Sequence, residues 1–546
     1  MQQRRKFLKT VGAGIAAQSF ASSCGSGPGA PETEGKPNIL LITSDQQRKD
    51  ALGIYNPGHV GTKNLDALAA DGVTFDRAYI TSPTCTPSRA SILTGQYPSR
   101  HGAYVIGTRL DPQSLKVTDF LGGNGYETYA VGKMHFQQVS TEGSFEGPPR
   151  KYDEGFWRNF DGPYYGFQHT QLLNQHSSEQ QACRMAYGVW LKEHGVTEED
   201  IARFFDNRRQ CTWDLPRELH SSVFVSEKSV EFIQTHADQR SDQPFFMWTS
   251  FPDPHAPHVV QQSYDTIYNP DEMALKPYRE GELDSKPAVY KTVFENGGRG
   301  HPNIKSAKEE SQSYWRKKIA IHHGMMTLMD EEIGKIIQKL KQCGMYENTI
   351  IIFTSDHGDY LGNHGFWSKG FASYEEVFNV SCIVKNVGQK NSGARTNALF
   401  SLVDIAPTVL CAAGVKIPSD MQGVNQQSVL YGEETTARNH ALIENREDQQ
   451  GNFYQKIFVT DQYKIVYYHG QTDGELYDLH KDPDQYVNLW DDAAHSPIKQ
   501  GLLDRMLNAY AENDGESADM NTTNLLAKLD TQIVDEGPRQ ARTSGS

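Results

Sequence analysis

The sequence has few cysteines and no long apolar run beyond its N-terminus. Only 7 of its 546 residues are cysteine, and no two of them stand in a C-x-x-C spacing. This argues against a cysteine zinc site and against a dense disulfide framework. We expect Cys343 and Cys411, which lie in helix-like patterns, to be small core residues. Because no run of about 18 apolar residues follows the N-terminus, we expect no membrane-spanning helix.

Basic residues are also in deficit. The chain has 53 lysines and arginines against 68 aspartates and glutamates, which gives a formal net charge of −15. Such a chain is not expected to bind nucleic acid in general, although a local pocket can still be positive. We find no internal repeat, and the length suffices for one large domain, or for two unequal ones, with an ample core.

The first 24 residues have the pattern of a targeting segment. The pair Arg4-Arg5 precedes a weakly apolar stretch rich in glycine and alanine, which is typical of a twin-arginine export signal. The alternative is a disordered basic tail. Residues 25–37 read as a flexible linker. We therefore expect a periplasmic or otherwise exported protein. Cys24 is a candidate for a lipid anchor, although the leucine usual three residues earlier is missing.

Four apolar, β-rich runs are each followed by polar residues, at 38–46, 127–135, 244–258 and 349–359. The first, NILLITSDQ, is a continuous run of the kind found in a strand buried on both faces. Helical patterns lie between the runs, for example at 64–71 and 329–343. Strands that alternate with helices predict an α/β fold with a large, mostly parallel central sheet flanked by helices.

The sequence changes in character towards its C-terminus. Stretches rich in aromatic and β-branched residues predict a meander of antiparallel strands, followed by a helix at about 497–513. We assign 38–440 to the main domain, 441–515 to a smaller α+β subdomain with an antiparallel sheet, and 516–546 to a polar tail. The less regular region 145–240 is interpreted as an insertion that shapes access to a site.

Residues suited to chemistry follow each of the four predicted strands. They are Asp45, Gln46, Lys133, His135, His255, Asp356 and His357. In open α/β sheets the ligand crevice lies at the carboxyl ends of the strands. A single aspartate in such a place is usually a helix cap. Four strands that bring acids, bases and a cation to one edge together predict an active site.

The stretch TSPTCTPSRASILTG places a cysteine at the start of a predicted helix. Thr86 is a plausible N-cap, Pro87 suits the first helical position, and Gly95 ends the helix. Free backbone N–H groups at that point, together with Arg89 one turn further on, favour an anion and lower the pKa of a thiol. Cys85 is therefore a reactive thiolate, a neighbour of a bound anion, or a small buried residue.

The segment CTPSRASILTG (85–95) resembles the C-x-P-S-R signature of type I sulfatases, members of the alkaline phosphatase superfamily. In that family a dedicated enzyme oxidises the cysteine to formylglycine. The resemblance continues at GKMH (132–135), DPHAPH (253–258) and SDHGDYLGNHGFWSKG (355–370). It covers about 37–490 and is weaker across 145–240 and 260–310. The resemblance implies an alkaline-phosphatase-like fold and a sulfuric ester hydrolase.

Carried over to this chain, the resemblance implies a metal site and a nucleophile. The hydrate of formylglycine at Cys85 would be the nucleophile. Asp45, Gln46, Asp356 and His357 would hold a divalent cation that also contacts the hydrate. Oxygen ligands suit Ca²⁺, with Mn²⁺ or Mg²⁺ as alternatives.

The resemblance also implies roles for the remaining residues. Asp356 would take the proton of the attacking hydroxyl, and Arg89 and Lys133 would orient the hydrate. Lys369 would neutralise the sulfate oxygens. His255 would protonate the leaving alcohol, and His135 would deprotonate the second hydroxyl so that sulfate leaves and the aldehyde is restored.

Two positions depart from the commonest sulfatase pattern. Gln46 stands where many members have aspartate, and His357 stands where some have asparagine. Both changes also resemble the formylglycine-dependent phosphonate monoester and phosphodiester hydrolases of the same superfamily, which we keep as the alternative. Lys133 and His135 favour the sulfatase.

Other residues carry weaker predictions. His101 and His364 either touch substrate or support the site, and His322 and His323 are expected to pack or to cap a helix. Arg446 and Tyr468 are guesses as substrate contacts, with a surface role equally plausible for each.

The sequence thus predicts an exported sulfatase that acts on a sulfated carbohydrate after maturation by a formylglycine-generating enzyme. Two further alternatives are a non-catalytic sugar-binding protein on the same fold and a cysteine hydrolase that uses unmodified Cys85.

Overall fold

Fourteen strands and fourteen α-helices are present in the described part of the chain. The computed structural model describes residues 35–174, 183–204, 212–213, 216–239, 242–295, 310–447 and 453–513. The predicted export signal with Cys24, most of the predicted linker and the predicted tail 516–546 lie outside the described residues.

The strands follow one another in chain order. They are β1 (Asn38–Ser44), β2 (Val73–Tyr79), β3 (Glu127–Lys133), β4 (His169–Leu173), β5 (Thr212–Trp213), β6 (Phe245–Ser250), β7 (Val260–Gln261), β8 (Thr349–Ser355), β9 (Asn379–Lys385), β10 (Ala394–Ser401), β11 (Ala441–Glu447), β12 (Phe453–Val459), β13 (Tyr463–Tyr468) and β14 (Gly474–Asp478).

The helices occupy most of the remaining described chain. They are α1 (Lys63–Ala70), α2 (Cys85–Thr94), α3 (Pro98–His101), α4 (Val117–Gly123), α5 (Glu154–Asn159), α6 (Met185–Glu193), α7 (Glu198–Phe204), α8 (Ser221–Asp238), α9 (Ala288–Glu295), α10 (Gln312–Gln342), α11 (Glu375–Phe378), α12 (Ile405–Ala412), α13 (Gln427–Leu430) and α14 (Ser496–Asn513).

The central sheet has eight strands in the order β10-β2-β9-β8-β1-β6-β3-β4. β1 lies between β6 and β8 and is parallel to both. Only β9 runs antiparallel to its neighbours, β2 and β8. All seven residues of β1 are buried, as expected for a continuous apolar strand between two helical layers. The prediction of a large, mostly parallel sheet flanked by helices is confirmed.

Successive residues of β1 belong to different hydrophobic cores. Ile39 and Leu41 join one core, and Leu40 and Ile42 join the other. Because successive side chains of a strand point to opposite faces, the two cores cover the two faces of the sheet. Helix α10 packs into the second core and begins at Gln312, earlier than the predicted pattern at 329–343. Its first half is rich in charge and histidine, which hid the helical period.

The region 145–240 is more than an insertion. Its strand β4 pairs with β3 and forms one edge of the central sheet. Phe224, Val225 and Ile233 of α8 are buried in the second core. This part of the chain therefore completes the main fold, which corrects the prediction that it only shapes access to a site.

A second sheet follows at the C-terminus. β11, β12, β13 and β14 form an antiparallel meander in chain order. Leu442, Phe458, Ile465 and Leu476 form a core with Leu502 and Met506 of α14. The predicted antiparallel sheet and final helix are thus present, whereas the proposed domain boundaries remain predictions.

The described cysteines and helices add two observations. Five cysteines (Cys85, Cys183, Cys343, Cys382 and Cys411) are described, and none of these five forms a disulfide; Cys343 and Cys411 are only half-buried. Within the described ranges, no helix combines the length and apolar character needed to cross a membrane.

Candidate active site

Cys85 is the first residue of helix α2. Its N-cap is Thr84, in extended conformation and without a capping side-chain hydrogen bond, so the prediction of Thr86 as the N-cap is wrong. Proline is tolerated throughout the first turn, where N–H groups lack intrahelical acceptors, so Pro87 does not fix the start. The helix ends at Gly95 with φ 66°, as predicted. The thiol therefore lies at the helix N-terminus, where an anion is favoured.

The buried Cys85 thiol lies close to two lysines, a histidine and a carboxylate. Its Sγ lies 2.9 Å from Lys369 Nζ, 3.2 Å from His357 Nε2 and 3.9 Å from Lys133 Nζ. Burial alone would raise the pKa of the thiol. The charges of Lys133 and Lys369 outweigh burial and hold this pKa well below its usual range. The thiol is thus stabilised in its anionic form.

Arg89 joins the ends of several strands. Its Nε donates to Asp356 Oδ2 at 2.7 Å and its Nη2 donates to Asp45 Oδ2 at 3.2 Å. Its Nη1 donates to the Lys133 carbonyl at 2.6 Å and to Ser250 Oγ at 2.7 Å. The guanidinium therefore fixes both carboxylates beside the thiol. Lys133 forms an ion pair with the same oxygen of Asp45.

Four of the predicted metal-site residues form a compact buried group. Ligand atoms of Asp45, Cys85, Asp356 and His357 all lie within 4.8 Å of one another. Gln46 is also buried, and its Oε1 has no hydrogen-bond partner. Two carboxylates, an imidazole and a buried amide oxygen suit a hard or borderline divalent cation. The residues present therefore fit a metal ion.

Two histidines predicted as acid and base flank the thiol. His135 is buried, and its backbone N–H donates to Glu146 Oε2 at 3.1 Å. His255 is half-buried, and its Nδ1 lies 2.6 Å from the Ala256 carbonyl. Burial and the charges of Lys369 and Lys133 lower the pKa of His255 to about 4. Of these two residues, His255 is the more exposed.

His101 and His364 are engaged with the protein itself. His101 is buried, with Nε2 3.1 Å from Ser91 Oγ and Nδ1 accepting the Ala103 N–H at 3.1 Å. His364 has Nδ1 3.1 Å from Glu282 Oε1 and stacks on Tyr374 at 3.9 Å between ring centroids. These contacts favour the supporting role over substrate contact.

The weaker predictions divide in the same way. His322 and His323 are buried in α10, where they pack. Tyr468 is buried and donates to Glu475 Oε1 at 2.5 Å, which argues against a surface or substrate-contacting role. Arg446 is exposed, and its guanidinium covers the Tyr104 ring at 3.6 Å.

Sequence reasoning missed Ser250 and Asp359. Ser250 ends β6 and accepts from Arg89. Asp359 accepts from the Gln46 amide Nε2 at 2.5 Å. Asp359 belongs to the segment SDHGD (355–359), three residues after Asp356. The motif therefore contains this residue but does not indicate its contact with Gln46.

Comparison with known proteins defines the class and then the family. A crystal structure of the phosphonate monoester hydrolase of Agrobacterium radiobacter superposes with a TM-score of 0.74 at 24% identity, covering 88% of this chain and 96% of that one. This likeness shows the fold, which is the alkaline-phosphatase-like architecture.

The sequence profile of the sulfatase family matches residues 37–415, and that of the C-terminal region of N-sulphoglucosamine sulphohydrolase matches residues 362–512. An arylsulfatase of Clostridium perfringens is 29% identical over 83% of this chain and 90% of its own length. An N-acetylglucosamine-6-O-sulfatase of Bacteroides thetaiotaomicron is 25% identical over 95% and 94%. The chain belongs to the sulfatase family and is a sulfuric ester hydrolase.

Proposed function

We propose that the protein is an exported sulfatase that removes sulfate from a sulfated carbohydrate, with formylglycine at position 85 and a divalent cation beside it. The observation that carries this proposal is the arrangement around Cys85. A helix N-terminus, Lys133, Lys369 and a metal-ligand set all converge on one buried sulfur atom. This combination suits a sulfate ester, whose charge the lysines and a cation would neutralise, and its nucleophile.

Conversion of Cys85 to formylglycine gives the residue a second hydroxyl once the aldehyde is hydrated. One hydroxyl supplies the nucleophile for sulfur, and deprotonation of the other expels sulfate and restores the aldehyde. A serine or thiol at this position would lack that internal exit. The sulfur atom of Cys85 marks where the hydroxyl oxygens would lie.

The surrounding residues would then act in sequence. Lys369 lies close enough to neutralise sulfate oxygens as charge redistributes during S–O cleavage. His255, whose pKa of about 4 leaves it neutral in the free protein, would become the proton donor for the departing alcohol once a bound sulfate anion offsets the charges of Lys369 and Lys133. Buried His135 would accept the proton of the second hydroxyl. Arg89 holds Asp45 and Asp356 in place throughout.

The cation would be held by Asp45, Gln46, Asp356 and His357. When bound, it supplies Lewis acidity that lowers the pKa of a hydroxyl group at position 85. The two carboxylates favour Ca²⁺, with Mg²⁺ as another ion that prefers oxygen ligands, and the histidine keeps Mn²⁺ as an alternative.

Support for a carbohydrate substrate comes from the relatives, among them the N-acetylglucosamine-6-O-sulfatase. Support for export comes from the twin-arginine pattern at Arg4-Arg5, which agrees with cytoplasmic maturation of Cys85 before translocation to the periplasm.

The test has two parts. Mass spectrometry of the peptide that contains Cys85, from protein made with a formylglycine-generating enzyme, should show a mass lower by about 18 Da for the aldehyde. A panel of defined sulfated oligosaccharides should then release sulfate with this protein and not with Cys85→Ala. An unconverted cysteine in fully active protein would overturn the mechanism.

A phosphonate monoester or phosphodiester hydrolase is the second candidate. Gln46 and His357 in the metal-ligand set favour it, and the Agrobacterium enzyme shares the fold. Rates on an aryl sulfate and an aryl phosphodiester decide between the two. A higher kcat/KM for the diester would replace the sulfatase proposal.

A further inference from the structure

The two ends of the Gln46 side-chain amide have different surroundings. Its Nε2 lies 2.5 Å from Asp359 Oδ2, whereas its Oε1 is buried and has no partner. A buried carbonyl oxygen without a partner is costly unless a ligand satisfies it. The Gln46 amide therefore has one oxygen that a cation could satisfy, although Gln46 itself is uncharged.

One oxygen of the Asp359 carboxylate is already engaged with the backbone. Its Oδ1 accepts the Leu361 backbone N–H at 2.8 Å, which leaves Oδ2 for Gln46. His258 Nε2 lies 3.7 Å from the same Oδ2. Asp359 is completely buried, so water does not compete for the carboxylate. If the Gln46 amide turned over, its oxygen would face a carboxylate oxygen at the same short distance.

We propose that Asp359 is a positioning residue of the metal site, which fixes the Gln46 amide with its oxygen towards the cation. The inference rests on the metal site of the proposed function and adds a residue that does not itself bind the metal. Partners of this kind orient ligands and commonly change metal affinity by about 10- to 100-fold.

The same contact explains why position 46 is glutamine. A carboxylate there would face the Asp359 carboxylate, and two buried like charges in contact are unfavourable. An amide instead donates to Asp359 with one end and offers an oxygen to the cation with the other. The residue at 46 and the residue at 359 therefore form a matched pair.

The first test is Asp359→Asn, with metal affinity as the readout. The introduced amide keeps its oxygen on the Leu361 N–H and turns its NH₂ towards Gln46, whose own amide then either meets another donor or turns its oxygen away from the metal. Protein freed of metal by a chelator is titrated with Mn²⁺ and with Ca²⁺ by calorimetry. We expect binding weaker by about 10- to 100-fold.

The second test exchanges the two groups. In Gln46→Glu alone, two carboxylates meet, and metal binding should weaken. In Gln46→Glu with Asp359→Asn, the introduced amide at position 359 donates to the introduced carboxylate at position 46, whose other oxygen faces the cation. The double variant should therefore bind metal more tightly than either single variant.

Asp404→Asn is the matched control. Asp404 is equally buried and accepts from Gln426 Nε2 at 2.8 Å and from the Val424 N–H at 2.8 Å, and neither of these partners belongs to the metal group. It should lose stability without loss of metal affinity.

The proposal is overturned if Asp359→Asn binds both ions as tightly as the parent, or if the double variant binds no better than Gln46→Glu. The second comparison holds even where Asp359→Asn alone folds poorly. Either result would leave sulfate release by the parent protein, and so the proposed function, untouched.

Discussion

The group around Cys85 and a second group around Glu475 are both buried and polar. They differ in the partners of their charged side chains, which are neutral hydroxyl groups around Glu475 and other charged groups around Cys85. Glu475 receives four hydroxyl donors. Tyr468 donates to Oε1 at 2.5 Å, and Oε2 accepts from Tyr477 at 2.5 Å and from Tyr290 and Ser373 at 2.9 Å each. Around Cys85, by contrast, charged groups of both signs crowd together and the Gln46 oxygen is left without a partner.

The difference separates a structural polar cluster from a reactive one. Burial and the Glu475 carboxylate raise the pKa of Tyr290, Tyr468 and Tyr477 well above the usual range, so these phenols remain donors. In the Cys85 group, the thiol pKa is lowered and the His255 pKa falls to about 4. The raised tyrosine pKa values keep these phenols in their ordinary neutral form, whereas the lowered thiol pKa changes the protonation state of Cys85. A change of protonation state beside an unpartnered buried oxygen is the feature that indicates a reactive site.

The two groups are connected through the segment after Lys369. Ser373 donates to Glu475 through its hydroxyl and to Tyr290 Oη through its backbone N–H at 3.0 Å. Gln455 of the C-terminal sheet donates to the Phe371 carbonyl at 2.9 Å. The C-terminal sheet therefore holds the loop that carries Lys369.

The largest expected effect comes from His255→Ala in the reactive group. Loss of a general acid should lower kcat/KM by about 10²- to 10⁴-fold on a sulfated sugar, whose alkoxide is a poor leaving group. The loss should be much smaller on nitrophenyl sulfate, whose leaving group needs no proton. Sulfate release from both substrates measures it.

Stability should hardly change in the same variant, because His255 is half-buried and its Nδ1 contacts the adjacent Ala256 carbonyl. Equal losses on the two substrates would contradict the role of His255 as the proton donor. They would indicate a role in binding the sulfate itself.

Glu475→Gln should destabilise the fold by removing hydrogen bonds from the group around Glu475. Its single amide oxygen cannot serve four hydroxyl donors, so we expect a loss of about 2–3 kcal/mol in the free energy of unfolding. Urea denaturation at 25 °C measures this loss, and kcat should change little.

Glu331→Gln is the matched control for Glu475→Gln. Glu331 also accepts from a tyrosine, Tyr264 at 2.6 Å, but on the surface. Its replacement should change the free energy of unfolding by no more than about 0.5 kcal/mol. A large fall in kcat for Glu475→Gln at unchanged stability would show that the Glu475 group acts on Lys369 rather than on the fold.

The strands and the residues that follow them could be predicted from sequence, because apolar runs and chemical residue types are local features. Asp45, Asp356 and His357 do meet, since β1 and β8 are adjacent. The contact between Gln46 and Asp359 could not be foreseen. More than three hundred residues separate them, and the order of strands in a sheet is not encoded in local periodicity.

The role of Arg89 was also only partly predictable. Its position one turn into α2 indicated that it faces the helix N-terminus. Its hydrogen bonds to Asp45 and Asp356 depend on the meeting of α2 with the ends of β1 and β8, which only the folded structure shows. The start of α2 was misjudged by two residues because Pro87 fits any position of a first turn.

The smallest expected effect concerns His101, whose buried contacts with Ser91 and Ala103 indicate a structural role. Burial lowers its pKa to about 3, against about 6.5 in the unfolded chain. The unfolded state therefore binds the extra proton as pH falls below 6.5, and stability is lost. Between pH 7 and pH 5 this residue should account for about 2 kcal/mol of the loss.

The unfolded state of His101→Gln cannot take up that proton. Between pH 7 and pH 5 the free energy of unfolding of this variant should therefore fall by about 2 kcal/mol less than that of the parent. Urea unfolding at pH 7 and pH 5 measures the difference, and the exposed His480→Gln should follow the parent. The other buried histidines contribute equally to the pH dependence of unfolding in the parent and in the variant. Their contributions therefore cancel when the two pH dependences are subtracted. If the stability of His101→Gln falls with pH as steeply as that of the parent, the imidazole is accessible to water in the folded protein. Substrate contact then becomes the better explanation of its position beside α2.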